Sequence, residues 1–240
     1  MSDPKVSIII TTYNEERFIE KAINSALRQS TPKSEYEIIV VDDGSTDSTR
    51  TVVESMIEKN ALDVRFFSKP NGGTASARNY GIKNAKAPIV SFLDGDDTYN
   101  SHKIELSLEY MNKGESVGIV YSDYIEQYPD KTQLRIKANF NRELLFRHCI
   151  ISTNSMVRKA AIERVGGFDE TFRYVEDYDL WCRIVLSGYF ALRVPEPLFT
   201  YNNHKASKTN STNMEKIQPE WDRIRERILK NDWRIKQKSN

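Results

Sequence analysis

Ile89-Val90-Ser91-Phe92-Leu93-Asp94-Gly95-Asp96-Asp97 runs from a short apolar segment into a cluster of acids, and Ile38-Ile39-Val40-Val41-Asp42-Asp43-Gly44-Ser45 repeats the arrangement. Continuous β-branched and aromatic runs of this length read as strands buried on both faces, as in a parallel sheet covered by helices. In such sheets ligands bind at the carboxyl ends of the strands. Asp42, Asp43, Asp94, Asp96 and Asp97 would then share one rim, where their mutual repulsion calls for a cation or a cationic ligand. The pattern points to a divalent metal carrying a phosphate.

Outward from these two stretches, strand and helix patterns alternate. Val6 to Thr12 reads as a strand, 16–29 as a helix, Glu37 to Val41 as a strand and Val64 to Phe67 as another. Thr46 or Asp47 caps a helix carrying Val52, Val53, Met56 and Ile57, and a helix from Thr74 to Ala85 follows the break at Pro70-Asn71-Gly72-Gly73. This rhythm predicts a three-layer α/β sandwich around a mostly parallel sheet. Past residue 115 it loosens: a strand at Val117 to Tyr121, a hairpin across Pro129-Asp130-Lys131, a strand from Ser152 to Val157, and a helix at Lys159 to Val165 stopped by Gly166-Gly167. A helix from Glu176 to Ser187 and two short strands, Tyr189 to Val194 and Leu198 to Tyr201, complete it. One domain over 1–215 is expected, with a nucleotide-binding half (1–115) and an acceptor half (116–215), followed by a helical extension over 216–240.

Composition narrows the function. The 240 residues are 29% charged with a formal net charge of +1, so no global field points to nucleic acid. No apolar stretch approaches the roughly 18 residues of a membrane span. The opening Met1-Ser2-Asp3-Pro4-Lys5 lacks the apolar core of a secretory signal, and Cys149 and Cys182 lack metal-ligand spacing, so free thiols and a reducing cytoplasm are expected.

If the sheet is parallel, Thr11-Thr12-Tyr13-Asn14, Asp42-Asp43-Gly44-Ser45 and Asp94-Gly95-Asp96 converge. Carboxylates there can accept hydrogen bonds from a base or ribose, and a tyrosine can stack on the base; Asp42 and Asp43 can equally cap the next helix with Ser45 and Thr46. Neither a G-x-x-x-x-G-K-[ST] nor a G-x-G-x-x-G loop is present to cradle phosphates, so a cation must offset the charge. Asp94 and Asp96 suit magnesium or manganese.

Six stretches, in order, resemble a family 2 glycosyltransferase of the GT-A fold across residues 5 to about 207. They are Val6 to Asn14, Val41 to Asp47, Asn71-Gly72-Gly73 with Ala77-Arg78-Asn79, Phe92 to Asp97, Val165 to Glu170, and Glu176-Asp177-Tyr178-Asp179-Leu180-Trp181. The resemblance implies a mixed central sheet and a nucleotide-diphosphate sugar donor. A UDP-sugar is favoured, although dTDP or GDP donors satisfy the same motifs. It implies that Thr11, Tyr13 and Asp43 contact the nucleoside, that Asp94 lies near the ribose and Arg78 near the donor pocket, and that Asp96 and His204 serve the metal. Asp177 would be the general base of an inverting transfer, with Glu176 and Trp181 on the acceptor side; Trp181 could equally face the core, and Asp179 could be structural. The acceptor would be a saccharide or a lipid-linked hydroxyl, in cell-surface polysaccharide synthesis.

Two other readings exist. Asp94-Gly95-Asp96-Asp97-Thr98 spells the D-x-D-x-T of haloacid-dehalogenase-like phosphohydrolases, and a non-catalytic nucleotide-sugar binding module is the non-enzymatic alternative. From Trp221 to Lys238, seven basic residues against three acidic ones interleave Trp221, Ile224, Ile228 and Trp233. Such a helix can lie on the anionic inner face of a membrane, or pack against the domain or a second subunit.

Overall fold

The computed structural model describes residues 3–60, 63–204 and 213–234. Met1, Ser2 and Lys238, each named above, lie outside the described residues, as do 205–207 of the family resemblance and 235–240 of the helical extension.

Strand β1 (Val6–Thr12) is wholly buried and alternates its side chains between two apolar layers. Ile9 faces one core and Ile8 and Ile10 the other, as strand pleating requires. β1 pairs in parallel with both β2 (Tyr36–Asp42) and β4 (Ile89–Asp94), and β2 pairs in parallel with β3 (Val64–Ser68). The registers Thr12↔Asp42 and Thr11↔Asp94 bring all three strand ends onto one rim. Helices α1 (Ile19–Leu27) and α2 (Thr49–Asn60) cover one face, and α3 (Thr74–Asn84) the other. The three-layer expectation holds.

The remaining strands continue the same sheet. β5 (Thr98–Tyr99) precedes α4 (Lys103–Met111). β6 (Val117–Gln127) forms the expected hairpin with β7 (Thr132–Arg135), and then come α5 (Arg142–Arg147) and β8 (Met156–Arg158). α6 (Lys159–Val165) ends as expected, with Gly166 in the left-handed conformation (φ 86°) that a glycine adopts without penalty. α7 (Glu176–Leu186), β9 (Phe190–Asn202) and α8 (Met214–Lys230) complete the order. The nine-stranded sheet runs β3-β2-β1-β4-β8-β6-β9-β5, with β7 on β6 and β8 antiparallel to both its neighbours.

Four elements differ from the sequence reading. The two short strands after residue 189 are one strand: its register on β6 jumps from Ser122↔Val194 to Asp123↔Pro197, because Pro195 and Pro197 lack the N–H of a regular ladder. The strand expected from Ser152 begins only at Met156. Its polar start is a turn whose side chains serve the rim. Helices α4 and α5 fall where no helix was expected.

Of the placements offered for the C-terminal helix, packing on the domain is the one observed: α8 lays its apolar side on its own domain. Ile224 is buried, Trp221 meets Tyr178 at 5.5 Å between ring centroids, and Ile228 and Trp233 lean on the same core. Of its apolar residues, Leu229 points outward, 87% exposed. No helix among the described residues is long and apolar enough to cross a membrane. Cys149 and Cys182 are free thiols, as expected, and burial pushes both well up from the usual thiol range.

α3 lies close against β1 because Gly81 lacks a side chain: a Cβ there would come within 2.4 Å of Ile9 Cγ2. Gly81→Ala should lower stability by about 1–3 kcal/mol through overpacking. Chemical denaturation measures it, and an unchanged midpoint contradicts this packing.

Candidate active site

The parallel registers place the Gly95 amide on Thr11 O and the Asp43 amide on Thr12 O, both at 2.9 Å, so the end of β1 is the hub of the rim. Tyr13 follows, 47% exposed beside it, as a stacking platform should be. Asn14 turns the chain with φ 55° and ties it to the next loop, receiving the Thr46 amide at 2.7 Å.

The two acids after β2 point into the protein. Asp42 accepts from the Ser45 amide (3.0 Å) and the Ser68 hydroxyl (3.0 Å), so it ties the loop after β2 to β3 rather than capping α2, whose first amide goes to Asp47. Asp43 is paired with Lys69 (2.6 Å) and receives the amides of Gly72 (3.0 Å) and Gly73 (2.7 Å). Its carboxylate thus folds the Pro70-Asn71-Gly72-Gly73 break against the rim, and any nucleoside contact adds to that task. Lys69 is a site residue that sequence reasoning missed.

The acids after β4 divide by direction. Asp97 is buried, accepts from the Asn202 amide (2.9 Å) and Asn154 Nδ2, and so joins β4, β8 and β9 structurally. Burial, with Asp96 and Asp94 nearby, pushes its carboxyl well above the usual range. Asp96 is close to the surface and meets His204 Nε2 at 3.0 Å. Burial and the Asp94 charge raise its pKa, opposed by His204. His204 is held by stacking on Phe18, 4.5 Å between centroids. Glu15, unread in the sequence, brings a further acid to this cluster. Its Oε2 is buried without a hydrogen-bond partner and lies where a Cβ on Gly95 would sit, 2.1 Å away, and burial and Asp96 push its carboxyl well up.

Among the described residues no three His, Cys, Asp or Glu side chains form a closed metal cage. Asp96 and His204 offer an oxygen and a nitrogen side by side, which fits manganese or magnesium held by few protein ligands and completed by substrate phosphates.

Arg78 lies beneath the rim, against Asp94. Its guanidinium is 2% exposed and joins Asp94 (Nη2 to Oδ1, 2.7 Å) to Glu176 (Nη1 to Oε1, 3.0 Å), over the Phe168 ring. Burial alone would lower its pKa; the two carboxylates outweigh it and hold it above its ordinary value. Glu176 is therefore withdrawn from the acceptor side: it is buried and engaged by Arg78. Trp181 is corrected likewise. At 0% exposure, edge-on to Phe168, it belongs to the core. Asp179, also fully buried, pairs with Arg183 (2.7 Å) and Arg227, in keeping with a structural role.

Asp177, in the first turn of α7, is largely buried but not sealed off. Oδ2 accepts from Thr153 Oγ1 at 2.8 Å, and Oδ1 from the Tyr178 amide at 2.7 Å. Burial and Glu176 raise its pKa, while Arg78 and Thr153 pull it down. That moves a carboxyl toward the working range of a general base. Thr153 and Asn154 went unread because they sit in an apparent strand.

The family model for glycosyl transferase family 2 matches residues 7–166. An uncharacterized glycosyltransferase of Rickettsia typhi is 35% identical over 244 residues, 95% of this chain and 74% of that protein. The chain belongs to glycosyltransferase family 2. Chondroitin synthase of Pasteurella multocida is 33% identical over 190 residues, 78% of this chain but 19% of the synthase. Among solved structures, TarS of S. aureus in complex with UDP-GlcNAc matches with TM-score 0.71 at 20% identity, over 95% of this chain and 72% of that one. A mannosyltransferase from Pyrobaculum calidifontis in complex with GDP-Man and Mn2+ gives 0.70 at 20%, over 97% and 72%. These likenesses confirm the GT-A fold expected from the motifs. Family membership also sets aside the phosphohydrolase reading, which in addition would need a free Asp94 nucleophile where Arg78 holds the carboxylate. In this glycosyltransferase Asp177, His204 and α8 all lie beyond the matched 7–166.

Thr153→Val removes a hydrogen bond that favours ionised Asp177. The carboxyl should then titrate at higher pH than in the wild type, read by its NMR chemical shift; an unmoved midpoint contradicts the assigned contact.

Proposed function

We propose that the chain transfers a sugar from a nucleotide-diphosphate sugar, a UDP-sugar being favoured, to a hydroxyl of a saccharide or lipid-linked acceptor, with inversion at the anomeric carbon. The observation that carries this reading is the Asp177 carboxylate, held by Thr153 and set one residue from a buried Glu176–Arg78–Asp94 chain that reaches the carboxylate rim. The nucleotide-sugar complexes of TarS and of the mannosyltransferase support the donor class, and the Mn2+ of the latter supports the metal. The match to chondroitin synthase supports a role in surface polysaccharide synthesis.

Tyr13 stacks on the base, with Thr11 and Asp43 lining the nucleoside end, and Asp94, oriented by Arg78, receives ribose hydroxyls. Asp96 and His204 hold the manganese or magnesium ion, which when bound supplies the positive charge that stabilises the departing diphosphate. Asp177 takes the acceptor proton as the new oxygen–carbon bond forms and the bond to the diphosphate breaks on the opposite face. Direct attack by the acceptor oxygen on the face opposite the departing diphosphate is a single displacement, which inverts the anomeric carbon. Its raised pKa keeps the carboxyl basic enough to accept that proton.

A panel of UDP-, GDP- and dTDP-sugars with Mn2+, read by nucleoside diphosphate release, tests the assignment. Asp177→Asn should lower turnover by about 10²–10⁴-fold and leave UDP–Mn2+ affinity intact. Asp96→Ala should instead abolish the metal dependence of UDP binding in calorimetry. Wild-type transfer by Asp177→Asn contradicts the base.

A further inference from the structure

We propose that Glu220, on the C-terminal helix α8, is a positioning residue for Asp177: its carboxylate holds the backbone that presents the base. This rests on the reading of Asp177 given above. α7 begins without a side-chain cap of its own, since Val175 at its N-cap offers none. The first amides of a helix have no intrahelical partner and need an acceptor. Glu220, only 8% exposed, instead fixes the segment that leads into the helix: from 45–47 residues further along the chain it receives the amides of Arg173 (2.7 Å), Tyr174 (2.9 Å) and the N-cap Val175 (3.2 Å). Amide-to-carboxylate bonds are charge-assisted and about twice as strong as neutral ones, and a negative charge here also suits the helix dipole.

α8 grips the other side of Asp177 as well. Trp221 packs on Tyr178, the next residue, whose hydroxyl donates to Leu145 O at 2.9 Å. Arg227 bridges Asp179, two residues past the base, to Asp169. Arg223 donates to Thr171 Oγ1 at 2.6 Å and lies over Phe172. Contacts at 171–175 on one side and 178–179 on the other thus bracket position 177, and all come from a helix outside the family match. The basic residues Arg223 and Arg227 serve this bracket. Reacting groups displaced by about 1 Å can lose about 100-fold in rate, so a loosened bracket costs turnover while leaving the nucleotide end of the site untouched.

The test uses the full chain with Glu220→Ala and the isosteric Glu220→Gln, each followed by turnover, donor KM, UDP–Mn2+ affinity, pH profile and thermal midpoint. The expected result is a fall in kcat of about 10–100-fold with UDP affinity unchanged, the alanine variant being the worse. Burial is the largest cause of the raised Asp177 pKa, so a loosened segment should also move the acid limb of the profile to lower pH. If Glu220→Ala does not fold, Glu220→Gln is read for the same outcomes. A lower thermal midpoint with kcat and acid limb unchanged, or an equal loss of kcat and UDP affinity, overturns the inference. Asp177→Asn run in parallel separates the two readings: a dead Asp177→Asn beside unaffected Glu220 variants overturns this inference alone, whereas a fully active Asp177→Asn overturns the base.

Discussion

A guanidinium buried between two carboxylates is the constraint on which the rest of this molecule depends. Arg78 comes from α3, Asp94 from the end of β4 and Glu176 from the start of α7, so one cation pins three elements from two halves of the chain. Taking charges out of water is costly, and removing one partner of a buried pair typically costs about 3–5 kcal/mol because the other charge is stranded. The arrangement has therefore one stable geometry. In the proposed reading, that geometry holds Asp94 for the donor and Asp177, next to Glu176, for the acceptor.

The rim solves a second electrostatic problem by dividing its acids. Asp42 and Asp97 are taken up by backbone amides, Ser68 and Asn154 as structure, and Asp43 is fixed by Lys69 and two glycine amides. Asp94 is neutralised by Arg78. Asp96 keeps a raised pKa and has the His204 ring beside it, and Glu15 adds to the negative field from below. The local need for positive charge is thus concentrated at Asp96, where a divalent ion and its diphosphate would sit. In the proposed reading, exposed Tyr13 serves the nucleoside end and largely buried Asp177 the acceptor end.

The features written in contiguous residues were legible in the sequence. The apolar runs ending in acids gave the parallel registers of β1, β2 and β4, the Gly166-Gly167 stop gave the end of α6, and the order of motifs gave the family. What depends on distant partners was not. Arg78 read as a pocket residue, although Ala75 and Ile82 at helical spacing place it on the buried face of α3. Trp181 and Glu176 could be sorted into core and ion pair only once α7 was docked. Thr153 and Asn154 hid in an apparent strand, where the polar run Ser152-Thr153-Asn154-Ser155 was the available signal. The basic extension read as a surface helix because charge patterning cannot tell a cation facing lipid from one facing Asp169 and Asp179. An acid at position 220, on the same face as Ile224 and Arg227, was the hint that this face meets protein.

A crystal structure with UDP and Mn2+ bound measures the central claim most directly. The account predicts the Arg78 guanidinium still held between Asp94 and Glu176, the ion on Asp96, and the Asp177 carboxylate open to the acceptor side. A complex in which Arg78 has left both carboxylates to bind the diphosphate, with Asp177 turned away from the ion, would contradict it.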